Sequence, residues 1–190
     1  MSMLVGRAAW DFWCRWVVAT VVGWILGLVL AIALSFLVVN PFYAKETDLI
    51  VGVCLGATVS FSQRFSVRQW LRLAPIFVWG AAIGIGIPFV VEVISSELGS
   101  GLGAVASTAV LAVGALICGL LQMPALRRYV GMSYVWPLVT LVAWSAAWMI
   151  SRWPSIYGTL AATVLHGIVS GGVLVWLLNQ KRSSEFGDAL

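Results

Sequence analysis

The sequence predicts an all-α integral membrane protein, a bundle of six transmembrane helices, on three observations. The chain is 62% hydrophobic and 9% charged with a mean hydropathy of +1.02, which leaves too little polar surface for a soluble domain of 190 residues. Its apolar residues fall in long uncharged runs rich in Leu, Val, Ile, Ala and Gly. Each run approaches the roughly 20 residues that cross about 30 Å of hydrocarbon, and the alternating pattern of a membrane β-barrel is missing. The basic residues, finally, sort by side once those runs are laid out as spans.

The spans fall near residues 16–38, 47–66, 72–91, 103–125, 132–151 and 156–178, in a single domain over 1–182 followed by a short polar tail, 183–190. Arg7, Asp11 and Arg15 break up the start of the chain, and the first run then continues too far for the short apolar core of a cleaved signal peptide. In the second span only Leu49 to Phe61 is strongly apolar, a length that also suits a re-entrant or tilted segment. The third carries Pro75 and Pro88 with Gly80, Gly84 and Gly86 between them, which predicts a kink or local unwinding. The fourth ends in Gly114 to Arg128, GALICGLLQMPALRR, an apolar glycine-spaced run with one glutamine that stops at two arginines.

Gln122 and Arg127 repeat the spacing of Gln63 and Arg68 at the end of the second span, as Gln, three residues, an aliphatic residue and Arg. A glutamine at that depth hydrogen-bonds a neighbouring helix, headgroups or water, while Arg68, Arg127 and Arg128 snorkel to the interface. Trp24, Trp79 and Trp144 each follow a shallower tryptophan (Trp16, Trp70, Trp136) by eight or nine residues. Together these recurrences predict a helical hairpin used three times, although the last span lacks the glutamine.

Nine of the eleven basic residues take one side: Arg7, Arg15, Arg64, Arg68, Arg72, Arg127, Arg128, Lys181 and Arg182. Only Lys45 and Arg152 take the other, with Glu46, Asp48, Glu92 and Glu97. Positively charged short loops stay in the cytoplasm, so both termini are expected there, in a bacterial cytoplasmic or internal membrane. This sorting accounts for the net charge of +4 without a nucleic-acid partner. Trp10, Trp13, Trp16, Trp70 and Trp136 read as an aromatic belt at one interface, and Phe42, Tyr43, Trp148, Trp153 and Tyr157 as a belt at the other.

Every span carries a small-xxx-small pair, among them Gly23/Gly27, Gly80/Gly84 and Gly167/Gly171. Such pairs open a flat groove for a neighbouring helix, either within the bundle or on a partner subunit or second copy. The cysteines, Cys14, Cys54 and Cys118, show no metal-ligand spacing and read as small buried hydrophobes.

His166, the one histidine, falls near the middle of the last span, with Thr163 and Ser170 on its helical face. Three roles suit an imidazole at that depth: a hydrogen-bond anchor between helices, a proton acceptor in a transport path, or the axial ligand of a tetrapyrrole. Trp144 is a candidate neighbour for a bound pigment or solute. No acid lies mid-span, and no HExxH, Walker or GxSxG motif is present, which argues against an enzyme.

The stretch Arg15 to Gly27, RWVVATVVGWILG, followed by Gly-spaced helices ending Gln-x3-Leu-Arg, resembles a group of small bacterial polytopic membrane proteins that repeat this alternation over their length. The resemblance covers most of 15–182 and implies a helical membrane fold with no activity attached. The helix ending at Gln63 departs from it, placing Gly52 and Gly56 farther from the glutamine. Two expectations follow: a non-enzymatic accessory or scaffold subunit of a larger membrane complex, with or without bound pigment or lipid, or a compact transport component holding a small solute between its helices.

Overall fold

A computed structural model describes residues 6–38, 44–99, 102–151 and 156–187. The described residues are helical apart from turns, in the order α1 (Arg7–Val38), α2 (Ala44–Ser66), α3 (Ile76–Glu97), α4 (Ala104–Leu126), a short 3₁₀ turn (Ser133–Val135), α5 (Trp136–Ser151) and α6 (Ile156–Gly187). Six of these helices are long and apolar enough to cross a membrane. Lys45, Glu46 and Asp48 fall within α2 and Lys181 and Arg182 within α6, whereas Phe42, Tyr43, Arg152 and Trp153 lie outside the described residues.

Several boundaries shift for local reasons. The α1 helix begins at Arg7, where Asp11 and Arg15 pair one turn apart at 3.2 Å on its surface. The α2 helix is continuous rather than re-entrant, and its apolar portion, Leu49–Ser66, covers about 27 Å at 1.5 Å per residue. Pro75 stands just before α3, so residues 71–74 leave the helical conformation and the third span starts at Ile76. Pro88 does not interrupt α3. It removes the N–H that would reach the Gly84 carbonyl, and that oxygen faces Gly114 of α4 instead. The α3 helix closes at Gly99, in the left-handed region at φ 74°, where glycine carries no steric penalty.

Helices adjacent in sequence pack side by side, and α6 closes on α1, so the six form a ring in chain order with alternating direction. Glycine makes these seams close. A Cβ on Gly23 would stand 2.5 Å from Val59 Cα, and one on Gly84 would stand 2.5 Å from Cys118 Cα. Gly27 meets Leu55 and Thr58, Gly80 meets Leu121, and Gly167 and Gly171 meet Val17 and Trp16 across the α6–α1 seam. These small faces are filled by the chain's own helices rather than turned outward, the arrangement expected where van der Waals packing drives association in lipid.

Inside the ring, side chains of α1, α3 and α5 meet in layers. Trp16, Phe77 and Trp136 form a triangle with ring centroids 6.2 to 6.4 Å apart, and each is at most 2% exposed. Thr20, Ala81 and Thr140 follow one turn deeper, and Trp24 and Trp144, with rings 5.7 Å apart, pack with Ile85 a turn beyond them. Trp16 and Trp136 are therefore axial core rather than interfacial belt. The α3 member of the triangle is Phe77, since Trp70 lies in the turn outside the helix and Trp79 faces outward. Trp10 and Tyr157 are exposed.

A candidate site in the bundle interior

Two polar assemblies surround the aromatic triangle. Gln122, 3% exposed, is the centre of one: its Nε2 donates to Ser60 Oγ at 3.2 Å and to the Phe77 carbonyl at 3.0 Å, and its Oε1 accepts the Trp136 indole N–H at 2.8 Å. One side chain thus joins α4 to α2, α3 and α5. In the other, Gln63 Nε2 donates to Thr20 Oγ1 at 3.0 Å, and Trp16 Nε1 donates to Ser170 Oγ at 3.0 Å, joining α2 and α6 to α1. Both glutamines lie inside the bundle and not among headgroups. Buried in hydrocarbon they have no water to bond, so each is held by a complementary side chain or carbonyl.

The polar stripe of α6 divides in two. Ser170, besides accepting from Trp16, donates to the His166 carbonyl at 2.7 Å, and Thr163 donates to the Thr159 carbonyl at 2.7 Å. Each hydroxyl therefore spends its one proton within α6. His166 differs. It is 4% exposed, its ring stands edge-on to Trp144 at 4.5 Å, and its Nδ1 has no hydrogen-bond partner. Trp24 Nε1, on a ring that also contacts Trp144, is likewise buried and unpartnered. Sequence reasoning identifies His166 and Trp144 but not Trp24, whose role depends on its rotation toward the axis.

Val59 packs on Gly23 between α1 and α2, and Cys118 on Gly84 between α3 and α4. His166 lies near Ala143 between α5 and α6, a polar ring in a seam otherwise built of small and apolar side chains. An axial ligand to a tetrapyrrole would need an open face on this imidazole, and burial against Trp144 gives it none without movement of a neighbour. No group of three metal-ligating side chains gathers among the described residues.

The interfacial arginines are placed apart from this interior. Arg68 is exposed with its guanidinium 4.2 Å from the Phe65 ring centroid, and Arg127 and Arg128 are exposed in the turn after α4. Comparison of the chain with protein families, curated proteins and solved structures finds no match.

Proposed function

We propose that this chain is a non-enzymatic integral membrane accessory or scaffold subunit, a rigid six-helix ring that packs against a larger membrane assembly in a bacterial cytoplasmic membrane. One observation carries the reading: Gln63, Gln122, Ser170 and Thr163, the polar groups within the spans best suited to a solute, all hydrogen-bond within the bundle, around an axis filled by Trp16, Phe77 and Trp136. A transport path calls for polar groups free to exchange partners, whereas a scaffold calls for a bundle that holds its shape. Because the glycine faces are occupied internally, contact with a partner falls to outward apolar surfaces such as that of Trp79 and Ile83 on α3.

The basic ends of the spans support cytoplasmic termini. The matched levels Trp16/Phe77/Trp136, Gly23/Gly84/Ala143 and Val67/Leu126/Leu174 support descent from a triplicated hairpin, with Ser170 standing where Gln63 and Gln122 stand in the first two copies. Purification from native membrane in mild detergent, with mass spectrometry and an absorption spectrum on the same sample, tests the reading. Stoichiometric partner subunits support it. A colourless protein purifying alone refutes it.

A second reading, a compact transport or ligand-binding component, is favoured by the unpartnered His166 Nδ1 and Trp24 Nε1, whose rings both contact Trp144. Replacing His166 by Leu separates the two. Loss of a bound pigment or solute with assembly intact supports the second reading, and unchanged spectrum, assembly and stability removes His166 from the functional residues.

A further inference from the structure

The α1 and α6 helices run antiparallel in a register that their contacts fix. Trp16 donates to Ser170 Oγ at 3.0 Å, and one turn along α1 a Cβ on Gly167 would stand 3.0 Å from Val17 Cα and 3.2 Å from Thr20 Cβ. A further turn brings Trp24 level with the stretch of α6 that carries Thr163 and His166, which share a helical face with Ser170. From α1, Trp24 reaches Trp144 of α5, with ring centroids 5.7 Å apart and planes inclined at 31°. From α6, His166 meets the same Trp144 ring edge-on at 4.5 Å. Register and ring contacts thus place the three side chains together where α5, α6 and α1 adjoin.

Hydrogen bonding changes at this level. The indoles of Trp16 and Trp136 both have side-chain acceptors, Ser170 and Gln122. Trp24 Nε1 and His166 Nδ1 are buried and have none. Both atoms point into the bundle, since neither has surface open to lipid. An indole N–H can only donate, whereas imidazole Nδ1 donates or accepts according to tautomer. One molecule that both accepts and donates satisfies the pair in either case. Thr163 Oγ1, 1% exposed, gives its proton to the Thr159 carbonyl and keeps lone pairs on the same face of α6. Buried water makes about three hydrogen bonds to groups of this kind, and leaving them unmade is costly in an apolar interior.

The surroundings select for size. Ala143 beside His166, and Ala162 one turn before it on α6, are small and fully buried. The contacts of both rings with Trp144 leave no slot for a planar organic molecule between them.

We propose that this junction of α1, α5 and α6 binds a water molecule, which accepts the Trp24 indole N–H and bonds Nδ1 of His166. The site rests on neither functional reading: it completes the interior of a scaffold and equally solvates the histidine of a transport component.

The full chain in lipid bilayers, carrying ¹⁵N in its tryptophan indoles and histidine ring, tests it by NMR transfer of magnetisation from water protons. The expected result is several-fold stronger transfer to the Trp24 N–H than to those of Trp16 and Trp136, whose acceptors are side chains. In His166→Leu the transfer at Trp24 is expected to fall several-fold, with the Trp16 and Trp136 resonances unmoved. Trp24→Phe keeps an aromatic ring against Trp144 and serves if His166→Leu does not fold; it is expected to shift the His166 Nδ1 resonance. Transfer to Trp24 no stronger than to Trp16 in the wild type overturns the proposal, as does transfer or an Nδ1 resonance unchanged by the substitutions. A small organic molecule, identified by mass spectrometry in the same sample and contacting Trp24 and His166 in place of water, also overturns it.

Discussion

Trp136 donates its indole N–H to Oε1 of Gln122 at 2.8 Å, at the level of the bundle where Trp16 donates to Oγ of Ser170 at 3.0 Å. The two bonds do the same work, tying an odd helix to an even one behind the aromatic triangle, with different acceptors.

Replacing Gln122 by Leu keeps the volume roughly constant but deletes one accepted and two donated bonds, leaving Trp136 Nε1, Ser60 Oγ and the Phe77 carbonyl without that partner. The expected cost is about 1–3 kcal/mol, since interhelical hydrogen bonds in lipid are individually modest but unsatisfied groups are costly. Gln63→Leu removes one side-chain bond, to Thr20, and is expected to cost less. Reversible unfolding in mixed micelles measures both, and equal costs would argue that the bridging role of Gln122 is unimportant.

The Trp136 ring and its N–H are separable. Trp136→Phe retains most of the aromatic contact with Trp16 and Phe77 and loses the bond to Gln122, at an expected cost of about 1 kcal/mol. Trp136→Ala opens a cavity at the axis and is expected to cost about 3–5 kcal/mol. The same unfolding assay ranks them, and similar losses for the two would mean that ring packing contributes little.

Gly84→Ala places a Cβ 2.5 Å from Cys118 backbone, where no flexible side chain can yield, so α3 and α4 must separate. Overpacking of this kind costs about 1–3 kcal/mol. Gly131→Ala has nothing within 4 Å of the added carbon and is the matched control, expected to be neutral. Thermal denaturation in detergent distinguishes them, and a silent Gly84→Ala would show that the α3–α4 seam is looser than described.

Orientation is open to cysteine labelling. With Cys14, Cys54 and Cys118 replaced by Ala, a single cysteine introduced at Gly131 is expected to be blocked by an impermeant maleimide only after the cytoplasmic face is opened, and one at Leu98 to be blocked in intact cells. The reverse pattern would invert the bundle.

Most of the architecture is legible in the sequence because hydropathy reports transfer into lipid, and six runs of sufficient length are visible without any tertiary information. Rotation of each helix is not. Helices that are apolar all round offer no amphipathic contrast, so Trp16 and Trp136, buried on the axis, are indistinguishable in sequence from the exposed Trp10. Trp70 takes the place of Phe77 in a spacing argument because Pro75 delays the start of α3, which the regular spacing of tryptophans hides. That Ser170 and Gln122 both accept an indole N–H is illegible for a different reason: the two residue types differ, and nothing in their sequence surroundings announces the donor. For His166, sequence yields its depth and its helical face, but the vacancy at Nδ1 depends on which side chains from α1 and α5 arrive beside it.

The ring has a consequence for biogenesis. Ser170 receives the Trp16 indole, and Ile168 the Trp13 indole, from more than 150 positions earlier in the chain, so the α1 surface that ends up against α6 meets its partner only after the sixth helix has left the ribosome and entered the bilayer. Throughout synthesis of the intervening four spans that surface faces lipid, an insertase or a chaperone. Shortened chains lacking α6 are accordingly an open arc in which the Trp13 and Trp16 indole donors have lost their acceptors.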